Sequence, residues 1–161
     1  MNMKQWAYIA AATLSLAQPV NAQEETRAPW LVNCNNQVDT AVLICEMSQS
    51  IVLADSNQRL ATAAFVKTGG SDEVEARFTL PFGLKLVSGL TASVDKNDVA
   101  TLEFLTCEAQ GCFVVSPVSS DWLSAMRGGA ELTLTGENQS DDPISFGFDL
   151  SGFSKVSDLM P

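Results

Sequence analysis

The chain contains 161 residues, 46% of them hydrophobic, and its 9 basic and 19 acidic residues give a formal net charge of −10. This length and apolar content predict one globular domain of ordinary size with a core of its own. The acidic balance argues against nucleic acid as a partner, because phosphate binding needs a basic surface. It is instead typical of a soluble protein, or of one with an acidic face for a cationic partner.

Residues 1–22 predict a signal peptide rather than part of the fold. Lys4 supplies a basic start, residues 6–17 an apolar core, and Val20-Asn21-Ala22 a small-residue cleavage site. The apolar run of about 12 residues falls short of the roughly 20 that a membrane-spanning helix needs. No later stretch is long and apolar enough to span a bilayer. We therefore expect a mature domain over residues 23–161 that is exported to the periplasm and has no transmembrane segment after cleavage.

Export determines how the four cysteines are interpreted. In an oxidising compartment an even number of cysteines favours disulfides over a metal site. Three pairings are possible, and the logic of consecutive hairpins favours Cys34 with Cys45 and Cys107 with Cys112. The chain has no histidine to complete a mixed zinc site and no C-x-x-C motif for thiol chemistry. The pattern therefore predicts two local disulfides, with no metal and no cofactor.

The first half of the mature chain alternates short apolar runs with turn residues, a pattern typical of short strands. After a polar lead at 23–29, the predicted strands cover residues 30–34, 41–47, 51–54, 60–67 and 77–80. The predicted connections are turns at 35–37 and 55–57, a flexible acidic loop at 68–72, and a tight turn at Pro81-Phe82-Gly83. Leu84 and Leu86 continue the apolar pattern beyond that turn.

Residues 100–116 predict a hairpin against which the other strands pack. Leu102 and Phe104 share one face of its first strand, and a cysteine stands at each end of its loop. Directly opposed Cα atoms near a hairpin end lie about 4.5–5.5 Å apart, which a disulfide can bridge. Cys107 and Cys112 are therefore expected to staple the neck of this hairpin.

The elements on either side of this hairpin are predicted in the same way. In chain order they are a half-buried strand at 90–94, a turn at 96–98, a helix at 122–127, a strand around 132–134, a polar acidic loop at 136–143, a strand at 144–150 and a helix at 153–159. Residues 119–121 are expected to cap the first helix, which Gly128-Gly129 would end.

This succession of short strands and frequent turns determines the fold class. About eight to ten strands predict a mainly β, single-domain antiparallel β-sandwich or barrel with one or two short helices, stapled by disulfides. The chain shows no alternation of strands and helices that would indicate a parallel sheet, and no repeat of fixed period.

Four short motifs follow one another in an order that matches a known family. They are Trp30-x-Val32-x-Cys34, Leu80-Pro81-x-Gly83-Leu84-x-Leu86 with Gly89 after it, Cys107-x3-Gly111-Cys112, and Leu150-x-Gly152-Phe153. Together they resemble the invasion-associated locus B family, from residue 30 to about residue 159. The resemblance implies a β-rich periplasmic or envelope-associated protein of Gram-negative bacteria, with a role in host-cell interaction or envelope stress. It implies no catalytic residues.

Candidate catalytic and metal-binding side chains are few. Without histidine, a Ser-His-Asp triad, a Cys-His pair and an H-E-x-x-H zinc site are all excluded. The carboxylate pairs Asp95/Asp98 and Asp141/Asp142 have acid and base chemistry, yet they lie in turn-like segments that favour local hydrogen bonds. The segment 95–98 also lacks the spacing and glycine of an EF-hand calcium loop. No residue is therefore assigned a catalytic or metal-binding role.

Two features are candidates for binding. Trp30 and Trp122 would form an exposed aromatic spot, although core packing is the expected fate of Trp122 on its apolar helix face. The stapled hairpin presents Glu108 and Gln110 on a rigid loop, and we predict these two residues as partner contacts. The expected partner is an unknown protein or envelope component, of cationic character because the chain is acidic.

Three functions remain open from the sequence. The first is an exported, non-catalytic envelope protein that binds a protein or an envelope component. The second is a purely structural periplasmic protein. The third is a carboxylate-dependent hydrolase such as a glycoside hydrolase, which would need two carboxyl groups about 5–10 Å apart in a cleft. The missing catalytic motifs favour a protein that is not an enzyme.

We expect the mature protein to begin at or within a few residues of Gln23, because a basic, apolar and small-residue succession directs cleavage there. Mass spectrometry of the N-terminal peptide from a periplasmic fraction measures this start directly. An intact Met1 terminus in that fraction would contradict the prediction.

Overall fold

A computed structural model describes residues 30–36, 42–54 and 56–161 of the chain. The predicted signal peptide, its cleavage site and the polar lead at 23–29 lie outside the described residues. The same holds for residue 37 of the first predicted turn, residue 41 of the second predicted strand and residue 55 of the next turn.

The described residues form ten strands and two α-helices. The strands are β1 (Leu31–Asn36), β2 (Leu43–Val52), β3 (Arg59–Thr68), β4 (Val74–Leu80), β5 (Leu90–Val94), β6 (Asn97–Leu102), β7 (Phe104–Glu108), β8 (Gly111–Val118), β9 (Glu131–Glu137) and β10 (Pro143–Asp149). The helices are α1 (Ser120–Gly128) and α2 (Phe153–Ser157), and Leu86–Ser88 forms a short 3-10 helix.

The strands build two antiparallel sheets. One sheet has the order β1-β2-β3-β4-β8-β7 and the other the order β10-β9-β5-β6. Alternate residues along most strands are buried, and both sheets contribute them to one hydrophobic cluster together with residues of α1 and α2. The predicted fold class, mainly β and antiparallel with two short helices, is confirmed.

Aromatic rings join the larger sheet to α2. The ring of Phe65 on β3 lies 5.8 Å from that of Trp30, 6.1 Å from that of Phe78 and 5.5 Å from that of Phe153, measured between centroids. The Phe78 and Phe153 rings both meet Phe65 edge-on, an arrangement that aromatic pairs prefer. These contacts bring the first described residue and the C-terminal helix into one core.

A buried glutamine links the two sheets. The side chain of Gln49 on β2 donates from Nε2 to the carbonyl oxygen of Asp149 at 3.0 Å, and its Oε1 accepts from the Asp149 backbone N–H at 2.8 Å. The indole Nε1 of Trp30 donates to the same carbonyl oxygen at 2.9 Å. The end of β10 is therefore hydrogen-bonded to the side chains of Gln49 on β2 and of Trp30, the residue just before β1.

The same glutamine explains why two predicted strands are one. Sequence reasoning placed strands at 41–47 and 51–54, but β2 runs without a break from Leu43 to Val52. Cys45, Met47 and Gln49 all face the core, and Gln49 is 5% exposed. The separation was wrong because a polar residue at an inward position interrupts the apolar pattern without interrupting the strand.

The turn between β5 and β6 lies one residue earlier than predicted. Its two central residues are Asp95 and Lys96, with φ of 48° and 72°, and Asn97 begins β6. Left-handed backbone at both central positions is the geometry of a two-residue hairpin whose twist matches its strands. The predicted turn at 96–98 was wrong because Asn97 and Asp98 are common turn residues that here lie within the strand.

The predicted hairpin at 100–116 is only partly correct. Leu102 ends β6 and pairs with Leu90 in the four-stranded sheet, whereas Phe104 begins β7 and pairs with β8 in the six-stranded sheet. The chain therefore crosses between the sheets at Glu103. Leu102 is buried and Phe104 is half-buried, so the alternation continues across the break and resembles one strand.

The two helices lie near their predicted positions. The Oγ of Ser119 accepts a hydrogen bond from the backbone N–H of Trp122 at 3.2 Å, which caps α1 as predicted. Gly129 follows the last residue of α1, and α2 ends at Ser157, two residues before the predicted end. Neither helix in the described part of the chain has the length and apolar character needed to cross a bilayer.

Replacing Gln49 by Met should lower the free energy of unfolding by about 1–3 kcal/mol, because the Asp149 N–H loses its buried acceptor. Methionine keeps most of the side-chain volume, so the loss reports the hydrogen bonds rather than a cavity. Chemical denaturation measures the change. The matched control is Gln110→Met at an exposed position, which should stay within about 0.5 kcal/mol of wild type. Equal effects of the two substitutions would contradict the structural role of Gln49.

Candidate functional site

The first carboxylate pair has structural partners. The side chain of Asp95 accepts hydrogen bonds from the backbone N–H groups of Ala130 and Glu131 at 3.0–3.1 Å. Asp98 accepts from the Oγ of Ser93 at 2.7 Å. Asp95 thus joins the β5–β6 turn to the start of β9, through bonds to residues 35 and 36 positions away rather than the local bonds expected from the sequence.

The second pair is likewise engaged within its loop. Asp141 forms an ion pair with Lys85, and Asp142 accepts from the Nδ2 of Asn138 at 3.2 Å. Among the described residues, His, Cys, Asp and Glu do not gather in groups of three or more that would hold a metal ion. The carboxylates of both pairs are therefore engaged in hydrogen bonds or ion pairs within the fold.

The two tryptophans do not form an exposed aromatic spot. Trp30 is 5% exposed and Trp122 is 1% exposed. Trp122 stacks on Phe78 with a centroid separation of 6.5 Å, so its predicted core packing is confirmed. The aromatic residues singled out by the sequence stabilise the core instead of presenting a binding surface.

An open groove of about 490 Å³ lies at the end of β3, β4 and β8. It is lined by Glu73, Glu75, Arg77 and Val115, among others. Glu75 is ion-paired with Arg77 at 2.7 Å, with both side chains about half exposed. If the protein were a hydrolase acting in this groove, Glu73 and Glu75 would be its candidate catalytic carboxylates.

Three connections meet at the other end of β4, and we call their residues 81–89, 108–111 and 137–142 the apical surface. Gly111 at the hairpin tip lies against the Leu80 carbonyl, and Leu84 forms an isolated bridge with Asn138. The hairpin tip and the β9–β10 loop are therefore both held beside the connection that leaves β4.

The predicted partner contacts lie on this surface. Glu108 and Gln110 are exposed at the tip of the β7–β8 hairpin. A disulfide joins Cys107 and Cys112 across its neck, with Cα atoms 3.9 Å apart. The other disulfide, Cys34–Cys45, joins β1 to β2 with Cα atoms 4.0 Å apart and lies toward the opposite end of the six-stranded sheet.

Sequence reasoning missed the most exposed apolar group of the apical surface. Phe82, Leu86 and Val87 are 62%, 43% and 91% exposed, and we call these three residues the crest. The sequence predicted that Leu84 and Leu86 continue the apolar pattern beyond the turn, but only Leu84 is buried. In an extended segment neighbouring side chains point to opposite faces, so the adjacent apolar pair Leu86-Val87 is the signal that one of them would be exposed. In the structure both residues lie in the 3-10 helix Leu86–Ser88, and both are exposed.

Hydrogen bonds to the β9–β10 region hold the crest in place. The backbone N–H of Lys85 donates to the Glu137 carbonyl at 2.8 Å, and Gln139 Nε2 donates to the Leu84 carbonyl at 2.9 Å. Ser88 Oγ donates to the carboxylate of Glu137 at 2.8 Å. Leu86 and Val87 are therefore displayed by a segment whose neighbouring residues Leu84, Lys85 and Ser88 are hydrogen-bonded to the β9–β10 region.

The apical surface is acidic. Its charged residues are Glu108, Glu137, Asp141 and Asp142 against the single cation Lys85. The Lys85 ammonium is ion-paired with Asp141 and lies 3.7 Å from a carboxylate oxygen of Glu137. The apical surface that carries the crest therefore has four acidic residues, and its one cation is ion-paired with two of them.

Substituting Gly111 by Ala should destabilise the protein more than substituting Gly83 by Ala. Both glycines have left-handed φ, of 136° and 96°, so both substitutions strain the backbone by about 1–3 kcal/mol. A Cβ at Gly111 would also collide with the Leu80 carbonyl oxygen, whereas Gly83 has no atom within 4 Å of that position.

Thermal or chemical unfolding of the two variants separates these effects. Gly83→Ala is the matched control for backbone strain, and the additional loss in Gly111→Ala reports the close approach of the hairpin to β4. Equal destabilisation by Gly111→Ala and Gly83→Ala would contradict the close contact between Gly111 and the Leu80 carbonyl.

Comparisons with known proteins agree with the sequence motifs. The family model described as Invasion associated locus B (IalB) protein matches residues 30–161. An Invasion protein B homolog of Brucella abortus strain 2308 is 32% identical over 153 residues, which cover 93% of this chain and 86% of that protein. Invasion protein B of Bartonella bacilliformis is 26% identical over 122 residues, covering 75% of this chain and 63% of that protein.

A solved structure shows the same fold. The crystal structure of invasion associated protein B from Bartonella henselae matches with a TM-score of 0.73 at 24% sequence identity. The match covers 83% of this chain and 91% of the Bartonella chain. The arrangement of two sheets and short helices is therefore shared with that protein.

Proposed function

This chain belongs to the invasion-associated locus B family, and from that premise we propose that it is an exported, non-catalytic binding protein of the periplasm or cell envelope. Its partner in this proposal is a protein or an envelope component of cationic character. The names of the relatives refer to invasion, and the proposed role includes contact with host cells or protection of the envelope under stress.

Two observations support export. The structure contains two disulfides and no free cysteine among the described residues. Disulfides form and persist in oxidising compartments such as the periplasm. The basic, apolar and small-residue succession over residues 1–22 adds the expected signal peptide. Periplasmic localisation is therefore the simplest account of both features.

The apical surface is the observation that carries the binding proposal. It combines a disulfide-stapled hairpin tip, bearing Glu108 and Gln110, with the exposed crest beside it. A surface that is held rigid before binding loses little conformational freedom when a partner docks, which favours affinity. A purely structural protein would gain nothing from exposing such a group of apolar side chains.

The hydrolase alternative depends on the groove that contains Glu73 and Glu75. Glu75 is engaged by Arg77, and the backbone N–H of Glu73 bonds to the Oγ of Ser71. Glycoside hydrolysis needs two carboxyl groups that are free to act on a substrate in a cleft, and the Glu75 carboxylate is already bonded to Arg77. Turnover of a glycan or peptide that is abolished by Glu73→Gln or Glu75→Gln would establish this alternative and overturn the non-catalytic proposal.

Quantitative pull-downs from the periplasmic fraction test the predicted hairpin contact. Glu108→Ala/Gln110→Ala should recover less partner than wild type, because it removes a charge and an amide from the proposed interface. Recovery by the wild type should also fall as salt rises, since exposed charges are screened.

Asp72→Ala is the matched control, because Asp72 is an exposed acid in the β3–β4 connection, away from the apical surface. It should behave as wild type at both salt concentrations. An identical set of partners, in identical amounts, for wild type and the hairpin variant would remove the hairpin from the interface.

A further inference from the structure

We infer that the crest is the docking element of this binding protein, and that it inserts into an apolar pocket rimmed by Lys and Arg on a partner protein. The inference rests on the proposed binding function and names the part of the surface and the chemistry of the partner. Three properties of the apical surface carry it: the exposure of the crest, its fixed conformation and the charge around it.

The exposure of the crest is costly for a free protein in water. Val87 is 91% exposed and Phe82 is 62% exposed, on a connection that the fold could complete with polar residues. The β5–β6 turn at Asp95-Lys96 shows that this chain builds other connections from charged residues alone. Contiguous exposed apolar groups with a polar border are typical of protein interaction sites.

The conformation of the crest is set before any partner arrives. Leu84, between Phe82 and Leu86, is 3% exposed and anchors the segment in the core. Bonds from Lys85 and Ser88 to Glu137 tie the segment to the end of β9. The three crest side chains therefore stand on a framework that does not need to be ordered on binding, which favours a defined pocket in the partner.

The charge around the crest selects the class of partner. The acidic residues Glu108, Glu137, Asp141 and Asp142 outnumber the single cation, Lys85, which is already ion-paired. A bilayer is disfavoured because membrane surfaces carry negative charge and attract basic rather than acidic segments. A protein pocket with an apolar floor and a basic rim complements both the crest and its border.

Site-specific crosslinking identifies the partner and the contact together. A benzophenone amino acid placed at Val87 of the full-length chain, processed in the cell, should crosslink one envelope protein. The same group at Ser124, an exposed position on α1, should not capture that protein. Mass spectrometry of the crosslinked peptide should place the contact beside apolar residues with Lys or Arg around them.

Titration of the identified partner against purified variants then measures the contribution of the crest. Phe82→Ser/Val87→Ser should weaken binding by about tenfold or more, as expected for apolar anchors that fill a pocket. Glu137→Gln/Asp142→Asn should weaken binding less and reduce its dependence on salt. The matched control is Val115→Ser/Leu159→Ser, which removes two exposed apolar side chains outside the apical surface and should bind as wild type. Equal thermal midpoints of the variants would show that the differences are not caused by unfolding.

The possible failures are distinguishable. If wild type binds a partner and the crest variant binds it equally well, the crest inference is wrong while the binding function stands. If the contact maps to an acidic surface, the proposed partner chemistry is wrong. Binding of wild type, but not of the crest variant, to vesicles of phosphatidylethanolamine and phosphatidylglycerol would make the occupant a membrane and overturn the inference. If the wild type crosslinks to and binds nothing, the proposed function itself fails.

Discussion

The contact between the two sheets depends on a side-chain amide. β2 is flanked by β1 and β3, so its backbone has no free edge to offer to the opposite sheet. Gln49 reaches across instead and exchanges two hydrogen bonds with the backbone of Asp149, while Trp30 bonds to the same carbonyl. Buried polar groups are costly unless they are paired, so these bonds specify one relative position of the sheets. The rings of Phe65 and Phe153 then pack in the space that this position defines.

The motifs through which the sequence resembles its family meet in space. Leu80 and Gly111 come from two of the motifs, and they touch where the hairpin tip approaches the end of β4. Gly89, the last residue before β5, has a φ of 63°. A Cβ there would lie 2.6 Å from the Leu102 carbonyl oxygen, so this position also requires glycine. Leu80, Leu84 and the glycines of these motifs thus maintain the close packing of the apical surface. Of the exposed crest residues, Leu86 belongs to the motif, whereas Phe82 and Val87 stand at positions that the motif leaves open.

Sequence reasoning succeeds where buried positions carry apolar residues and exposed positions carry polar ones. It fails where a polar residue is buried or an apolar residue is exposed. The strand from Ile144 to Leu150 was predictable because its apolar residues alternate without interruption and three of them, from Phe146 on, are buried. Gln49 interrupts the apolar pattern of β2. Its burial could not be predicted, because its hydrogen-bond partner Asp149 lies a hundred positions away in the sequence. The stapled hairpin tip could be placed from its cysteines alone. The crest could not, since the fold of its connection depends on bonds to Glu137 and Gln139 that local sequence does not reveal.

The two disulfides have a consequence for the order in which the chain folds. They connect residues separated by 11 and 5 positions, whereas the Trp30–Asp149 bond spans 119 positions. Short loops close quickly and at little entropic cost, while distant pairings slow folding. Each disulfide therefore closes a loop that needs only nearby residues. The core also needs β10 and α2, which come last among the described elements, so both short loops can close before the core does.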